Sequence, residues 1–392
     1  MSVTANVHAF LKRWLVPACL FIRIFQIQVS PDMLGEPAYW IYRAARYAVP
    51  TLLLIHIVFF QRNSRRQLAL IFLITAVFGL SAVKAGVYSV VMIWLLIAAA
   101  RGQDTDELVR AGYWAMLSSA ILIVTAFFLG RIEENATVRE ATGLLRHSWG
   151  YSHPNILGAV VLQLSACRLY LHRDRLGVED ILITAGAAAF AYAVPNSQSS
   201  AICIALLLVL ALLYLVWPKL PRKLRKPLLN CFVPAAAFCN LFIVICSLCY
   251  RPGGPLEPVN RLLTTRLFCA NTIYSIYGVS LFGNRLATMY TYAEHNGIHF
   301  WMPWLDSSYL NLLIRYGLLT YLVYSALYLL GMLRARKAGN LMLLGILAIY
   351  AAHAVMEPSM YDLKQSFFAV LLLSALPSGD ECENPSHNFT GT

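Results

Sequence analysis

Charged residues are scarce in this chain of 392 residues, and their scarcity argues against a soluble globular protein. Asp, Glu, Lys and Arg make up 13% of the residues, whereas 59% are hydrophobic and the mean hydropathy is +0.62. A soluble domain carries about 25% charged residues. The composition therefore predicts an integral membrane protein.

Motifs that hold a metal or a nucleotide phosphate are also missing. No His/Cys cluster has zinc-ligand spacing, and neither a P-loop nor a GxGxxG turn follows a strand pattern. We therefore expect no metal and no cofactor. The nine cysteines are an odd number, and most lie in apolar runs, where a thiol behaves as a small apolar group.

Long apolar runs fill the chain instead. A helix of about 20 apolar residues crosses the roughly 30 Å of hydrocarbon in a bilayer. We predict about twelve such spans, or ten to twelve because two of the runs are short. Their ranges are 11-29, 39-60, 68-83, 86-100, 111-130, 155-171, 180-195, 200-217, 228-250, 307-333, 341-357 and 366-377. The sequence thus predicts an all-α polytopic membrane protein with one transmembrane helical domain at 1-377 and a disordered polar tail at 378-392.

Basic residues predict the orientation, because Lys and Arg near the ends of spans stay on the cytoplasmic side. If Lys12 and Arg13 are inside, most other basic loop residues are inside too, and the four short outer loops hold only Lys84 and Lys364. Both termini are therefore predicted to be cytoplasmic. The net charge of +12 follows mostly from these inner anchors and needs no nucleic-acid partner.

Two predicted outer loops are long, at 131-154 and 251-306, and both are rich in arginine. They contain seven arginines and no lysine: Arg131, Arg139, Arg146, Arg251, Arg261, Arg266 and Arg285. A guanidinium forks onto two phosphate oxygens, which an ammonium cannot do. The loops therefore predict a phosphate-bearing ligand on the outer face, the alternative being pairing with acidic residues of the same loops. Apolar residues at helical spacing over 261-286 also predict a helix along the membrane surface or over the bundle.

Histidines accompany these arginines. His147 and His153 lie in the first long loop, and His295 and His299 lie in the second. Imidazole exchanges protons near neutral pH, so we expect at least one of the four to act as an acid or base, although a lone histidine is more often a surface or capping residue. Pro154 fits the first turn of a helix, whose N-terminus would attract an anion.

A polar stripe enters the tenth predicted span from the outer side. Ser308, Asn311 and Arg315 recur at helical spacing there. A charge at that depth is costly unless it faces a partner or a wet cavity, so Arg315 is a candidate site residue. The alternative is that Arg315 only pairs with Glu357 or Asp362.

Three stretches resemble a known family. GYSHPNILG at 150-158 resembles the signature of bacterial exopolysaccharide and capsule polymerases of the Wzy type, relatives of the O-antigen polymerases and ligases. LFGNR at 281-285 and LDSSYLNLLIRYGLL at 305-319 resemble later landmarks of that family. The layout is similar as well, with ten to twelve spans and a large extracytoplasmic loop late in the chain.

This resemblance implies a GT-C-like, metal-independent glycosyltransferase in the bacterial cytoplasmic membrane. Such an enzyme uses no nucleotide sugar and transfers a growing glycan from one undecaprenyl-pyrophosphate carrier to another lipid-linked repeat unit at the outer face. The implied partners are the undecaprenyl-pyrophosphate-linked oligosaccharide, membrane lipids, and other assembly proteins such as a flippase or a chain-length regulator. No nucleic acid is implied.

The resemblance and the arginine pattern together give the candidate site residues. The catalytic candidates are His147, His153 and Asp306. The pyrophosphate-binding candidates are Arg146, Arg261, Arg266, Arg285 and Arg315, and the candidates for other substrate contacts are Asn155 and Tyr309. Pro154 and Gly317 match further positions of the family's motifs.

Two other functions use similar features. A ligase that moves finished polymer onto a lipid or wall acceptor would need the same outer residues, and only its product distinguishes it. A transporter or flippase for the lipid-linked glycan would instead have charges through the depth of the bundle and an inverted repeat of spans. The sequence shows neither pattern, since the halves 1-195 and 200-377 have no evident similarity.

Overall fold

The computed structural model describes residues 3–29, 35–139, 143–287, 292–295, 298–301, 303 and 305–374. It is about 74% helical. The α-helices of this part of the chain are α1 (Val3–Gln28), α2 (Gly35–Ile55), α3 (Arg65–Ala85), α4 (Ser89–Ala99), α5 (Thr105–Phe128), α6 (Pro154–Leu171), α7 (Val178–Ala193), α8 (Gln198–Val216), α9 (Arg222–Leu248), α10 (Glu257–Leu262), α11 (Arg266–Tyr277), α12 (Ser308–Leu310), α13 (Leu318–Lys337) and α14 (Leu341–His353). Two small antiparallel hairpins pair β1 (Thr137–Val138) with β2 (Leu145–Arg146) and β3 (Tyr292–His295) with β4 (Ile298–Trp301).

Seven helices are long and apolar enough to cross a membrane within the described ranges. They are Tyr42–Phe60, Arg65–Ala85, Thr105–Phe128, Pro154–Leu171, Gln198–Lys219, Arg222–Leu248 and Leu318–Lys337. Each overlaps a span predicted from the sequence, and the shorter apolar helices α4 and α14 overlap two more. The fold is therefore that of an all-α polytopic membrane protein, while the count of twelve spans stays a prediction.

The last predicted span, 366-377, is wrong as a long helix. Its described part forms a buried 3₁₀ helix at Phe368–Leu373, and 375–392, including the predicted tail, lies outside the described residues. Six residues at about 2 Å each extend only about 12 Å, which is far less than a bilayer. This segment packs against α4 and α13. Because α4 is buried on nearly all sides, the two short apolar elements form part of the core of the bundle.

The tenth predicted span, 307-333, is also not one continuous helix. A short helical stretch ends in a π-helical turn at Asn311–Arg315, and α13 begins only after Gly317, whose φ is +93°. The stripe of Ser308, Asn311 and Arg315 is therefore confined to this short stretch. Ser308 and Asn311 are buried against the chain that follows α14 and against the segment's own backbone, respectively.

Two glycines explain this interruption. A Cβ on Gly283 would lie 2.1 Å from the Arg315 carbonyl oxygen, and a Cβ on Gly317 would lie 2.2 Å from the Gly283 nitrogen. The two backbones cross at these residues, and the amides of Asn284 and Leu318 donate across the crossing to Arg315 and Ser280, each at 2.9 Å. The turns of the two later motifs thus form one backbone-to-backbone contact, which we name the glycine crossing.

The helix expected at 261-286 is shorter than predicted and caps the bundle. Thr264 and Thr265, with φ of 51° and 64°, separate α10 from α11. The α11 helix buries Leu267 and Ile273 and packs on α9, so its apolar face covers another helix. Leu262 is 80% exposed because it lies in α10, before that break.

Candidate functional site

The two long loops meet at one end of the bundle. Asn155, at the start of α6, and Arg266, at the start of α11, both donate to the same Oε1 atom of Glu357, at 2.9 and 3.4 Å. Glu357 follows α14 and is 3% exposed. We name as the arginine cluster the group formed by Arg139, Arg146, Asn155, Arg266, Asp306 and Glu357.

Arg146 connects to this carboxylate through Asn155. Its Nη2 donates to Asn155 Oδ1, while Asn155 Nδ2 donates to Glu357. Its Nε donates to the Pro195 carbonyl at 3.0 Å. Within the described residues these bonds use two of the five N–H donors of the guanidinium, so the group can still bind an anion.

Arg266 lies between two carboxylates. Its Nη2 is 3.4 Å from both Asp306 Oδ2 and Glu357 Oε1, and its Nε donates to the Met356 carbonyl at 3.1 Å. The Arg266 side chain is 16% exposed, and that of Asp306 is 26% exposed. A molecule from outside can therefore reach this pair, whereas Glu357 lies deeper.

Arg139 is the third guanidinium of the cluster, and the turn before α8 holds it. Its Nη2 donates to the Asn196 carbonyl at 2.6 Å. The same turn supplies the Pro195 carbonyl to Arg146, so two successive carbonyls orient two arginines. Asn196 has φ of 44°, which is uncommon for a residue other than glycine.

Positive charge is concentrated here, and it affects the pKa values of the arginines. Burial, together with Arg139 and Arg266, lowers the pKa of Arg146 to about 10. Burial and Arg266 also lower the pKa of Arg139. Three cations held this close repel one another, and a bound anion would offset that repulsion.

Burial has the opposite effect on the carboxylates. It raises the pKa of Glu357, and the neighbouring Asp306 raises it further, while Arg266 opposes both effects. Burial likewise raises the pKa of Asp306 against the effect of Arg266. Carboxyl groups with raised pKa values beside a cation are suited to accept a proton near neutral pH.

Local sequence explains how the first loop reaches the cluster. His153 Nδ1 accepts from the Asn155 amide at 3.1 Å and so caps α6, with Pro154 as the first helical residue. Gly158 lets α6 approach α8, because a Cβ there would lie 2.5 Å from Ser197 Cβ. The apolar run that follows the motif thus fixes the direction in which Asn155 projects.

Serines hold the other side of the cluster. Ser307 Oγ donates to the Ala354 carbonyl at 3.1 Å, and Ser308 Oγ donates to the Glu357 carbonyl at 2.8 Å. Ser199 Oγ also donates to the Glu357 side chain at 3.2 Å. The DSSY sequence therefore ties Asp306 to the segment that carries Glu357.

Backbone strain is concentrated around the same place. Among the described residues, the non-glycine residues with positive φ are Trp149, Asn196, Thr264 and Thr265. They flank Arg146, Arg139 and Arg266, and a β-branched residue in this region is a genuine outlier. Such strain is typical of functional sites.

Several predicted site residues lie elsewhere. Arg261 is 80% exposed in its side chain and pairs with Glu257, and His147 Nδ1 is 3.0 Å from Glu134 Oε1. Arg285 lies near Gly86, and Arg315 lies near Tyr316 and Tyr361. Tyr309 is buried and donates to the Ala351 carbonyl at 2.9 Å, which places it in the core. The side chains of His295 and His299 lie outside the described residues.

The structure adds residues that the sequence analysis did not select. Arg139 was only one of seven loop arginines, and Glu357 was only an alternative partner for Arg315. The sequence does contain one indication for Glu357. It is a carboxylate at the end of an apolar run, next to Pro358, and a charge near a membrane is energetically costly. No group of three His, Cys, Asp or Glu in the described residues is placed to hold a metal ion.

No protein-family model, curated protein or solved structure matches this chain. Function must therefore be argued from the residues of the cluster. Three guanidiniums can bind a diphosphate, and two carboxyl groups of raised pKa can accept a proton from a hydroxyl that reacts beside it. This combination suits group transfer from a phosphorylated donor.

Proposed function

We propose that this chain polymerises undecaprenyl-pyrophosphate-linked oligosaccharide repeat units into exopolysaccharide or capsule at the outer face of the cytoplasmic membrane. It is then a GT-C-type glycosyltransferase with about twelve spans and cytoplasmic termini. The observation that carries the proposal is the convergence of Arg139, Arg146 and Arg266 from two long loops beside the carboxylates Asp306 and Glu357. The resemblance of 150-158, 281-285 and 305-319 to Wzy-type polymerases supplies the substrate class.

The arginines act on the leaving group. As the bond between the anomeric carbon and the diphosphate oxygen breaks, negative charge grows on the diphosphate. Arg146 and Arg266 bind those oxygens, and Arg139 adds a third positive charge. Preorganised charges of this kind stabilise the transition state most when water is excluded.

A carboxylate accepts the proton. The acceptor hydroxyl oxygen forms the new bond to the anomeric carbon and releases its proton to Asp306, the more exposed of the two, while Glu357 holds Arg266 and Asn155 in place. His153 is less suited to be the base, because its Nδ1 accepts from the Asn155 amide. Burial and the nearby arginines also lower the pKa of His153 to about 4.

Exchange of a single arginine tests the proposal. Arg266→Ala, produced at wild-type level, should lower the polymerisation rate on the order of 100-fold or more, as the loss of one preorganised charge stabiliser does. Arg261→Ala is the matched control, because that side chain is exposed and its pair with Glu257 lies away from the cluster. The measurement is the ladder of glycan chain lengths made from lipid-linked repeat units in proteoliposomes.

The same ladder separates the other functions. Full-length polymer from both Arg266→Ala and Arg146→Ala would exclude the proposed binding of the diphosphate by these arginines. Unattached long polymer in a deletion strain would identify a ligase instead. Repeat units that accumulate on the inner leaflet would identify a flippase.

A further inference from the structure

A cavity of about 240 Å³ lies beside the turn that carries the first motif. Its walls come from four parts of the chain: the C-terminal end of α1, Tyr42 of α2, the turn 150–152 with Ile156, and Lys364 in the segment after α14. Asn155 of the arginine cluster and His153, which accepts from its amide, belong to the same segment, but the cavity is lined by Ser152 and Ile156. The two sites therefore share one short segment of backbone.

Two glutamine side chains of this cavity are buried and held in place. Gln26 and Gln28 are 6% and 7% exposed. Gln26 Nε2 donates to the Tyr42 carbonyl at 2.6 Å, and Gln28 Nε2 donates to the Lys364 carbonyl at 2.8 Å. Two amides fixed by the backbone of neighbouring elements present a rigid polar wall, which favours a ligand with hydroxyl groups over an apolar one.

Tyr151 gives the second observation. It lines the cavity and is 3% exposed, and its hydroxyl has no hydrogen-bond partner among the described residues. A buried hydroxyl without a partner is costly, and most such groups in native proteins are satisfied. A ligand hydroxyl in the cavity would supply the missing bond.

We propose that this cavity is a specificity subsite that binds one sugar ring of the glycan. This inference rests on the proposed function for the identity of the substrate. The volume is smaller than the roughly 300–1,000 Å³ of pockets for drug-sized ligands, so it suits one ring and not an oligosaccharide. Among the described residues that line it, Lys364 is the only cation, which does not favour a second diphosphate site.

The subsite binds a ring away from the reacting bond, because no residue of the arginine cluster is among the described residues that line the cavity. Its contacts are therefore made equally in the ground state and the transition state. Their loss should raise KM and leave kcat nearly unchanged.

Conservative variants test this. Tyr151→Phe and Ser152→Ala should each raise the KM for the lipid-linked repeat unit about 5–10-fold in proteoliposomes, consistent with one lost hydrogen bond. Tyr350→Phe is the matched control, because Tyr350 is equally buried but lies in α14, away from the cavity. Unchanged KM in both variants would overturn the subsite.

A binding measurement separates this inference from the proposed function. Saturation-transfer NMR on the full-length protein in detergent uses free glucose, galactose, mannose, N-acetylglucosamine and glucuronate as probes. At least one should give a signal that Ile156→Trp abolishes and Arg266→Ala retains. If no sugar binds, the subsite is refuted. If a sugar binds as described but Arg266→Ala polymerises normally, the subsite stands and the polymerase proposal fails.

Discussion

Asn155 joins the two charges of the arginine cluster. Its Oδ1 accepts from Arg146 and its Nδ2 donates to Glu357. A side-chain amide offers both a hydrogen-bond acceptor and a donor, so neither aspartate nor leucine of similar size can replace it. The residue thus holds a cation and an anion at a fixed separation without letting them neutralise each other by direct contact.

The pH dependence of the reaction follows from the carboxylates. A carboxylate acts as a base only when it is deprotonated, and burial raises the pKa of both Asp306 and Glu357. The rate should therefore rise with pH through a midpoint above the ordinary carboxyl value of about 4. The measurement is kcat/KM in proteoliposomes from pH 4 to 9. A rate independent of pH over this range would rule out a carboxylate base.

Asn155→Asp should move that midpoint. The new carboxylate keeps the bond to Arg146 but places a second negative charge beside Glu357, which interacts with the base Asp306. We expect this charge to raise the pKa of both Glu357 and Asp306. We expect a shift of about one pH unit to the alkaline side and a rate roughly 10-fold lower at neutral pH. Asn155→Ala, which adds no charge, should lose activity without the shift. Identical pH profiles for the two variants would contradict the proposed role of Asn155 between Arg146 and Glu357.

The sequence identifies some of these residues and not others, for physical reasons. The segment 146–155 can be predicted as a candidate site, because histidine and arginine are energetically costly in an apolar chain. The proline indicates a helix start. The pairing of Arg266 with Glu357 cannot be predicted from the sequence, since 91 residues separate them. Any other arginine of the loops could equally have been the partner. Arg266 differs from Arg261 and Arg285 in its tertiary contacts, because it begins α11 and reaches both Asp306 and Glu357.

Helices and turns were predictable to the extent that their cause is local. Apolar length predicts α2, α3, α5, α6, α8, α9 and most of α13. It fails at Phe368–Leu373 and at Asn311–Arg315, where tertiary packing overrides an apolar sequence. The glycine crossing is the clearest case, because LFGNR and RYGLL look like unrelated turns until they are seen in contact.

Substitution at the glycine crossing should destabilise the fold. Gly317→Ala would place a Cβ against the Gly283 backbone and force an alanine to φ of +93°, at a cost of about 3 kcal/mol or more. The melting temperature of the protein in detergent should fall by about 4 °C or more. Gly186→Ala is the control, since no atom lies within 4 Å of its added Cβ and alanine favours the helix. An equal effect of the two substitutions would show that the crossing is not tightly packed.

Two groups of charged and polar contacts are informative at the scale of the whole molecule. The arginine cluster joins segments predicted to lie outside. In the second group Arg173 pairs with Asp106 at 2.8 Å, and Gln103 donates to the Lys12 carbonyl at 3.0 Å. Those residues all belong to segments predicted to lie inside. The alternation of predicted loops is therefore consistent with the contacts, and the assignment of each group to a side of the membrane stays a prediction.

Cysteine labelling tests that assignment. In a background with Cys231, Cys249, Cys269 and Cys382 replaced by serine, Glu133→Cys should react with a membrane-impermeant maleimide in intact cells. Lys223→Cys should react only after permeabilisation. Both side chains are exposed, so access depends on the side of the membrane alone. The opposite pattern would place the arginine cluster in the cytoplasm, where the proposed lipid-linked substrate is not polymerised.

The distance along the chain between Asn155 and Glu357 has a consequence for biosynthesis. These two residues are 202 positions apart. A ribosome that adds about 5–20 residues per second needs roughly 10–40 s to make that stretch. During this interval the nascent chain exposes Arg139 and Arg146 without the carboxylate that later balances them. If the proposed function holds, we expect the chain to be inactive until the segment that carries Glu357 is in place, so a prematurely terminated chain should not transfer glycan.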